Sequence, residues 1–365
     1  MVIGGPYPTT APELALADGN IDCAVIGEGE ATVLELLDVF SVPGVELEKV
    51  KGLAFMKNGA LQRTPPRELI EDLDSLPFPD WDAVDIKAYP GNKRMSVLNG
   101  PDWMSIFTSR GCPYQCVYCH SIFGKRFRAR SAEKVIEEID LLHSKYGIKE
   151  FDIIEDIFNY DRGRTERICD HIAARGYGIS LSFPNGLRLD RLDCALLDKL
   201  KKAGTKMLVF PVETVVPRLQ TLAGRSLDIP AVKKIIDHAL RLDIFCTGFF
   251  MIGFPGETEE ETELTVKFAI DSGFHAVEFF TVTPFRGTRL WETLSEGERD
   301  SGSEYTGHSY FRKDISPRLI YLQRMAYMRF YLSPKRVART IAVYLRVSSF
   351  AGLVSRFFNV FRKLF

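Results

Sequence analysis

The sequence predicts an α/β protein whose main part is a partial (β/α)6 barrel of the TIM-like kind. Three observations favour this fold. Apolar runs of strand length alternate with helical stretches from residue 104 onward, a glycine follows four of those helices, and 365 residues suffice for one large domain or about two ordinary ones. Because six such units form an incomplete eight-fold barrel, functional residues are expected directly after each strand, at its carboxyl end.

The predicted elements of the barrel follow one another in strict order along the chain. Its strands are residues 104–108, 151–154, 179–183, 207–212, 245–252 and 276–282. The intervening helices are residues 132–146, 164–175, 194–203, 231–242 and 259–272. The glycines that follow four of them, at the position where a left-handed residue ends a helix, are Gly147, Gly176, Gly204 and Gly273.

The region before the barrel is less regular. Residues 1–40 predict a strand at 1–4, a loop, a second strand at 23–26, a turn, and a helix at 31–40. This is about one and a half βα units, which is too little to bury a sheet of its own. Prolines then break up any long helix or central strand and predict a linker that packs over the neighbouring domain, with a boundary near residue 95; they are Pro65, Pro66, Pro77, Pro79 and Pro90.

The composition excludes several classes of protein. With 45% hydrophobic, 12% aromatic and 26% charged residues, the chain has ample material for a core and is not of the disordered kind. Its net charge of −1 hides an asymmetry, because residues 311–365 hold twelve Lys and Arg against the single acid Asp314. Residues 1–310 hold 35 basic and 47 acidic residues. The sequence thus predicts an acidic body and a basic tail.

The seven cysteines favour a reducing compartment over a disulfide framework. Their number is odd, the chain is long, and the opening Met-Val-Ile-Gly-Gly has no features of a secretory signal. Arg339, Arg346 and Arg356 interrupt the most apolar part of the tail, so no stretch reaches the roughly 18 apolar residues of a spanning helix. The sequence predicts a cytoplasmic protein without a membrane span.

Three cysteines directly after the first barrel strand carry the strongest signal in the chain. Cys112, Cys116 and Cys119 have the spacing C-x3-C-x2-C, which lets one loop wrap around a metal or a cluster. Thiolates select iron–sulfur clusters or zinc over hard cations. On a 4Fe-4S cluster three thiolates leave one iron with an open coordination position, and an open position is typical of catalytic sites.

Alternatives exist for these cysteines. Together with the adjacent His120 they would form a Cys3His structural zinc site, although neighbouring side chains rarely reach one ion together, and His120 is more typical of an ordinary loop residue. Three thiols without any metal are the other alternative. The remaining cysteines lie in apolar strand or helix patterns and are interpreted as small core residues; they are Cys23, Cys169, Cys194 and Cys246.

The segment 109–119, with Tyr118 before the last cysteine, resembles the signature of the radical S-adenosylmethionine (SAM) superfamily. Later segments are similar to further elements of that core, in the right order over residues 98–295. They are Glu155-Asp156, Asn185-Gly186-Leu187-Arg188, Val212-Glu213-Thr214, the stretch 251–258 and the closing Pro-x-x-Gly-Thr at 284–288.

The resemblance implies a mechanism and a set of cofactor contacts. Three irons of a 4Fe-4S cluster would be held by Cys112, Cys116 and Cys119, and the fourth would chelate SAM, whose reductive cleavage releases a 5′-deoxyadenosyl radical. A one-electron reductase such as a flavodoxin or ferredoxin would supply the electron. The SAM contacts that it implies are Tyr118, Glu155, Asp156, Asn185, Arg188, Glu213 and Gly253.

For several of these residues a structural role is the alternative. Glu155-Asp156 would otherwise be an exposed acid pair at a strand end, and Asn185 and Arg188 would stabilise their loop. Glu213 would pair with a core arginine in place of the SAM hydroxyls. The turn at Gly253, Pro255 and Gly256 would simply reverse the chain.

Residues 1–40 are similar to the last third of the cobalamin-binding domain of one branch of this superfamily, which includes anaerobic magnesium-protoporphyrin ester cyclases. The early half of that domain, with its cobalt-ligating D-x-H-x-x-G loop, has no counterpart here, so either the chain is truncated or it has lost corrinoid binding. The predicted organisation is a Rossmann-like remnant of that domain at 1–45, a linker at 46–97, the radical SAM barrel at 98–300 and a helical basic extension at 301–365.

Two basic regions bear on partners. The run Lys125, Arg126, Arg128 and Arg130 is interpreted as a solvated face leading into a helix, not as a nucleic-acid site. The tail residues Lys335, Arg336, Arg339 and Arg346 share one helical face, which predicts peripheral contact with anionic lipid or packing on the acidic body. A lipid-like or tetrapyrrole substrate is consistent with this prediction.

The sequence thus favours a radical SAM enzyme that modifies an unactivated carbon by methylation, cyclisation or rearrangement. A radical enzyme without a corrinoid, a zinc-stabilised non-catalytic binding module and an inactive truncated relic are the alternatives. The substrate is set by loops and tail, and not by the shared motifs.

Overall fold

The computed structural model describes residues 1–41, 46–85, 96–98, 100–296, 303–306, 309–312, 317–332, 338 and 341–342. The chain divides into two compact units, neither of which is one continuous segment. The first comprises Met1–Leu73, Arg110–Arg128 and Pro284–Arg299. The second comprises Asp74–Ser109, Ala129–Thr283 and Asp300–Phe365. The domain limits expected from the sequence stay a prediction.

A four-stranded mixed sheet forms the centre of the first unit. Its elements are β1 (Val2–Ile3), α1 (Pro6–Thr10), α2 (Pro12–Ala15), β2 (Cys23–Val25), α3 (Glu30–Ser41), β3 (Leu53–Lys57) and β4 (Ala60–Arg63). The strands are ordered β1-β2-β3-β4, with β1 parallel to β2 and the other neighbours antiparallel. The sheet has a small core of its own, made by Cys23, Val25, Leu36, Val50, Leu53 and Phe55.

The hairpin of β3 and β4 lies in the stretch 46–97, which the sequence analysis predicted as a linker without a long helix or a central strand. Asn58 and Gly59, between the two strands, both have positive φ, at 52° and 76°. An Asn-Gly pair in this conformation is typical of a type I′ hairpin turn. The signal is readable in the sequence, and our sequence analysis missed it.

A parallel sheet of six strands forms the centre of the second unit and confirms the predicted sheet. The strands are β5 (Trp103–Ile106), β8 (Glu150–Ile153), β9 (Ser180–Phe183), β10 (Thr205–Glu213), β11 (Phe245–Ile252) and β12 (Ala276–Thr281). They are ordered β12-β11-β10-β9-β8-β5, so that neighbours in the sheet follow one another in the chain. Two short strands, β6 (Ser109–Arg110) and β7 (Arg128–Ala129), stand where the chain enters and leaves the cysteine segment of the first unit.

Helices connect these strands as predicted, with α7 as an addition. They are α4 (Ala132–Tyr146), α5 (Arg162–Arg175), α6 (Cys194–Lys202), α7 (Pro217–Leu222), α8 (Ile229–Arg241) and α9 (Glu259–Asp271). The five of these helices other than α7 each begin at a side-chain N-cap, namely Ser131, Asp161, Asp193, Asp228 or Thr258. The four predicted glycines all adopt positive φ after their helices, which confirms the interpretation of Gly147, Gly176, Gly204 and Gly273.

Side chains between the six-stranded sheet and its helices form the main core. Isoleucine and leucine are its most frequent residues, and its largest completely buried side chains include Phe151, Phe183, Phe210, Phe250 and Phe279. Alternate residues of the strands point to the opposite face, where Asp152 and Ser182 lie side by side in a buried hydrogen bond. Because one face is committed to the helices, the register of each strand is specified by its apolar residues.

Side chains on one face of the last described long helix cover the edge strand β12. After α10 (Arg289–Glu292), β13 (Ser303–Thr306) and β14 (Ser309–Arg312), helix α11 spans Pro317–Tyr331. The Tyr331 hydroxyl accepts from the amide of Val277 and donates to its carbonyl, both at 2.9 Å. The Tyr327 hydroxyl accepts from the amide of Phe279 at 3.0 Å, and the side chain of Gln323 donates to the carbonyl of Phe279 at 2.6 Å. Side chains four residues apart thus satisfy the open edge of the sheet.

The basic residues predicted to form a helical face at 335, 336, 339 and 346 lie outside the described residues, as does the boundary near residue 95. Among the residues that the structure describes, no helix is both long and apolar enough to cross a membrane.

Candidate functional site

The cysteine loop of the first unit, residues 110–128, begins with a glycine that no other residue can replace without movement. Gly111 has φ of 79°, and a Cβ there would lie 2.3 Å from the carbonyl oxygen of Arg126. The start of the loop therefore passes directly against its end. Within the loop, the amide of Cys119 donates to the carbonyl of Cys116 at 3.2 Å, which closes a turn around the last two thiols.

The three cysteines differ in exposure. Cys112 is half-buried, Cys116 is buried and Cys119 is exposed. Three thiols on one loop are the donor set that suits an iron–sulfur cluster with one open iron, and they are the residues that would hold it. In the described part of the chain, no three His, Cys, Asp or Glu side chains converge closely enough for a single metal ion. A four-iron cluster makes a different demand on its ligands, because each of its three thiolates binds a different iron.

The neighbours of the cysteines occupy the same loop. Tyr118 is half-buried and His120 is exposed. The carbonyl of Val117 accepts the amide of Leu290 at 2.9 Å, so that the backbone beside Tyr118 is held by α10. The other cysteines lie elsewhere: Cys23, Cys169 and Cys246 are buried as predicted, while Cys194 is half-buried at the start of α6. Burial raises the pKa of the Cys169 thiol to about 12.

The basic run after the cysteines is not a solvated face throughout, which corrects the expectation from sequence. Arg128 is buried and forms an ion pair with Glu28 in the Gly-Glu-Gly-Glu turn after β2. Lys125 donates to the carbonyl of Tyr114 at 3.2 Å, back into its own loop. Arg126 is exposed and pairs with Glu71.

At the carboxyl end of β8, in the second unit, the predicted acid pair divides into one buried and one exposed residue. Glu155 is 2% exposed and accepts the hydroxyl hydrogens of Thr108, at 2.7 Å, and of Ser109. Burial raises the pKa of Glu155, and the positive charge of Arg164 opposes that rise. Asp156, the next residue, is exposed. The alternative of an exposed acid pair is therefore wrong for Glu155.

The loop after β9 carries Asn185 and Arg188. Asn185 is exposed, and its amide nitrogen donates to the carbonyl of Ile154 at 2.8 Å, next to the acid pair. The Arg188 side chain pairs with Asp190 at 2.5 Å. Both contacts are those of the loop-stabilising alternative.

Asn159, which the sequence analysis did not select, fixes this loop from the side of β8. Its carbonyl oxygen accepts the amide of Arg188 at 2.9 Å, and its amide nitrogen donates to the carbonyl of Arg188 at 2.9 Å. The residue is almost fully buried. A single asparagine after a strand leaves no periodic signal by which the sequence reveals such a contact.

Glu213 lies at an irregular end of β10. The register against β11 shifts between Pro211 and Glu213, and Glu213 has φ of 64°, which is unusual for a residue other than glycine. Its carboxylate lies 3.5 Å from Nη1 of Arg225, and both side chains are buried. Arg225 also donates to the carbonyl of Pro211 at 2.7 Å. A core arginine is thus the partner of Glu213, as one of the two sequence alternatives expected.

The turn after β11 is held by a glutamate that the sequence analysis did not select. Glu257 accepts the amides of Gly253, at 2.6 Å, and Phe254, at 2.9 Å. Burial raises the pKa of Glu257, although these amides oppose the rise. Gly253 has φ of 93°, and a Cβ there would come within 2.7 Å of Leu319. The turn therefore requires glycine at this position.

Comparison with known proteins agrees with this arrangement. The family model of the radical SAM superfamily matches residues 106–269. An uncharacterized methyltransferase of Pyrococcus horikoshii is 34% identical over 93% of the chain and 74% of its own length. Cytidylyl-2-hydroxyethylphosphonate methyltransferase of Streptomyces wedmorensis is 29% identical, over 79% of the chain and 59% of its own length.

The anaerobic magnesium-protoporphyrin IX monomethyl ester cyclase of Cereibacter sphaeroides is 25% identical over 91% of the chain. The chain spans 55% of that relative's length, little more than half of it. Two solved structures share the fold. The radical SAM methyltransferase TsrM of Kitasatospora setae, with cobalamin and a 4Fe-4S cluster bound, has a TM-score of 0.63 at 20% identity over 79% of this chain and 56% of its own. The cobalamin-dependent S-adenosylmethionine radical enzyme OxsB has a TM-score of 0.68 at 12% identity, over 93% of this chain and 57% of its own. The chain therefore belongs to the radical SAM superfamily, as an enzyme homologous to its methyltransferases and cyclases.

Proposed function

We propose that the chain holds a 4Fe-4S cluster on Cys112, Cys116 and Cys119, binds SAM at it, and modifies an unactivated carbon of a small substrate. The observation that carries this proposal is the set of three thiols on one loop, ordered by Gly111 and by the turn from Cys116 to Cys119. When bound and reduced, the cluster supplies the electron that cleaves SAM to methionine and a 5′-deoxyadenosyl radical.

The chain's own residues would orient SAM from the ends of the strands. Asp156 is the exposed carboxylate there and would accept the hydrogens of the SAM ammonium group, because opposite charges give the stronger hydrogen bonds. Glu155 itself is already engaged by the hydroxyls of Thr108 and Ser109 and by the nearby charge of Arg164, and would hold the chain before Asp156 in place. Asn185, whose amide nitrogen donates to the carbonyl of Ile154 at 2.8 Å, would contact SAM beside this position, and the backbone of the turn at Gly253 would contact its adenine. Tyr118, Arg188 and Glu213 remain proposed contacts.

Methyl transfer is the reaction that the relative at 34% identity favours, since it is named a methyltransferase. At lower identity both reactions occur, because one methyltransferase is 29% identical and two cyclases are 25% and 29% identical. Ring closure and rearrangement are the other outcomes that this chemistry allows. The proposed substrate is lipid-like or a tetrapyrrole, and the proposed electron donor is flavodoxin- or ferredoxin-like. We further propose a cytoplasmic location with peripheral lipid contact through residues 311–365, twelve of which are basic.

The N-terminal sheet supports the proposal that this region derives from a cobalamin-binding domain. β1 and β2 run parallel, and a cavity of about 690 Å³ opens at their carboxyl ends, where sheets of this kind bind ligands. Four glycines are among the residues that line it, namely Gly4, Gly5, Gly27 and Gly29. Titration of the cluster-loaded protein with hydroxocobalamin, followed by absorbance, tests this part separately; no spectral change would exclude corrinoid binding by this chain.

Anaerobic reconstitution with iron and sulfide tests the central proposal. We expect about four irons and about four acid-labile sulfides per chain, a reduced signal in electron paramagnetic resonance that changes when SAM is added, and formation of 5′-deoxyadenosine. One zinc without sulfide would support a zinc-stabilised binding module. A complete cluster without SAM cleavage would support an inactive relic.

A further inference from the structure

A single buried carboxylate forms ion pairs with both arginines that flank the cysteine loop. Glu28 lies in the turn after β2, and its Oε1 is 3.0 Å from Nη1 of Arg110 and 2.9 Å from Nη2 of Arg128. Arg110 stands two residues before Cys112, and Arg128 closes the loop at its other end. All of these residues belong to the first unit.

The contact is enclosed, and both carboxylate oxygens of Glu28 accept hydrogen bonds. The side chains of Glu28 and Arg128 are each 2% exposed, and that of Arg110 is 19% exposed. The second oxygen of Glu28 accepts Nη1 of Arg128 at 3.0 Å and the amide of Ile70 at 2.7 Å. Nη1 of Arg128 also donates to the carbonyl of Ile70, and Nη2 donates to that of Phe123, at 2.9 Å and inside the loop itself. Among the described residues, the buried Nε of Arg128 has no hydrogen-bond partner.

The charges around Glu28 are balanced, since two arginines, Arg110 and Arg128, meet two carboxylates, those of Glu28 and Glu30. Arg110 divides its guanidinium between Glu28 and Glu30, whose Oε1 lies 2.5 Å from Nη2. Burial raises the pKa of Glu28, but the hydrogen bonds from Arg128, Ile70 and Arg110 outweigh it and leave the pKa below its ordinary value. Removal of the carboxylate would leave the buried Arg128 without its counter-charge, which is a costly state in a protein interior.

We propose that Glu28 is a positioning residue that ties the two ends of the cysteine loop together and thereby sets the spacing in which Cys112, Cys116 and Cys119 hold the cluster. The inference rests on the proposed function. It extends that function because the anchor lies in the turn after β2, 82 and 100 residues from the two arginines, and outside the cysteine motif.

Hydrogen–deuterium exchange of the chain without its cluster tests the clamp directly. Glu28→Gln keeps the size of the side chain and removes its charge, and Glu28→Asp keeps the charge. Glu35→Gln is the matched control, because Glu35 pairs with Arg67 at 2.6 Å in the same unit without touching the loop. We expect E28Q to speed amide exchange in residues 111–127 by about tenfold or more, with helix α4 unchanged, E28D intermediate and E35Q like the wild type.

Cluster retention is the second readout. After anaerobic reconstitution, we expect a chelator to remove iron from E28Q about tenfold faster than from the wild type, and the paramagnetic signal of the reduced cluster to broaden. Unchanged exchange and unchanged iron release in E28Q would overturn the inference. So would an equal acceleration throughout β3 and β4, because that pattern indicates general loosening of the unit.

Two further outcomes stay interpretable. If the wild type itself takes up no iron, the proposed function fails, while the exchange experiment still decides on the clamp. If E28Q does not accumulate as folded protein, Arg110→Gln removes the more exposed arm of the clamp, and the same localised but smaller acceleration is expected. No acceleration in R110Q would then overturn the inference.

Discussion

The hydroxyl of Thr108 donates a hydrogen bond to Oε1 of Glu155 over 2.7 Å. The same hydroxyl accepts Nη2 of Arg164 at 2.8 Å, so it links a buried acid to a buried base. Glu155 is thereby committed to the interior of the second unit, and the carboxylate left at the surface is that of Asp156. Two adjacent acids thus have different chemical surroundings.

This division predicts opposite effects of two neighbouring substitutions. Asp156→Asn should weaken SAM binding by about tenfold, because it removes a charge-assisted contact, and should leave the free energy of unfolding unchanged. Glu155→Gln should lower the free energy of unfolding by about 1–3 kcal/mol, because a buried acceptor is replaced. Equilibrium dialysis of SAM and urea unfolding measure the two effects. If E155Q loses SAM affinity at full stability, the two roles are reversed.

The cysteine loop gives the most direct prediction. Alanine at Cys112, Cys116 or Cys119, one at a time, should abolish formation of 5′-deoxyadenosine, because each thiolate holds a separate iron. The far-ultraviolet circular dichroism of each variant should match the wild type. Cys194→Ala is the control, since this half-buried cysteine lies on α6 and belongs to no ligand set; its cluster content should be unchanged. A loop variant with normal turnover would refute the assignment.

The pair of Glu213 and Arg225 predicts a large loss of stability from one substitution and its recovery by a second. Glu213→Gln leaves a buried guanidinium without its carboxylate and should cost about 3 kcal/mol of unfolding free energy. The double variant E213Q/R225M, which removes both charges, should recover most of that loss. Urea unfolding measures both changes. Should E213Q instead keep its stability and bind SAM poorly, the SAM alternative for Glu213 would hold.

The clamp at Glu28 predicts a dependence on acid. Because the pKa of Glu28 in the folded chain lies below its ordinary value of 4.5, the ionised form is favoured by folding. That contribution is complete above pH 4.5 and is lost as the pH falls through the lower folded value. Arg110, Arg128 and Glu30 are the charged groups that face it, and the two arginines do not titrate in this range.

Exchange of the loop amides measures this effect, after correction for the intrinsic pH dependence of exchange. In the wild type, protection of residues 111–127 should fall steeply as the pH is lowered below 4.5, and in E28Q this fall should be absent. Identical profiles for the two proteins would contradict the prediction.

Much of the barrel was readable in the sequence, because its elements depend on local patterns. Helix α4 was predicted with its exact bounds, and strand β11 likewise, since apolar runs, an N-cap and a terminal glycine lie within one short stretch. The spacing of the three cysteines alone also indicates a candidate metal or cluster site. Contacts between distant residues carry no such signal: Glu28 meets arginines 82 and 100 positions away, and Arg128 was therefore interpreted as solvated.

The tyrosines of α11 provide a test of how the sheet ends. Tyr331→Phe keeps the ring and removes the partner of both backbone groups of Val277, which should lower the free energy of unfolding by about 1–3 kcal/mol. Combined with Tyr327→Phe, it should promote self-association through β12, as measured by analytical ultracentrifugation. Tyr321→Phe, an exposed position on the same helix, is the control and should change neither quantity. A double variant that stays monomeric and stable would contradict this role.

The attachment of α11 to β12 has a consequence for how such a protein can diversify. The helix binds peptide groups of Val277 and Phe279, which any residue except proline would present, and Tyr327 in addition donates to the carboxylate of Glu278 at 2.7 Å. Substitution of the side chains of Val277 and Phe279 therefore leaves these backbone donors and acceptors in place, whereas substitution of Glu278 removes a bond that depends on a side chain. Sequence change along the outer edge of β12 is thus compatible with a covered sheet edge, because most of the hydrogen bonds from α11 reach atoms that every residue except proline carries.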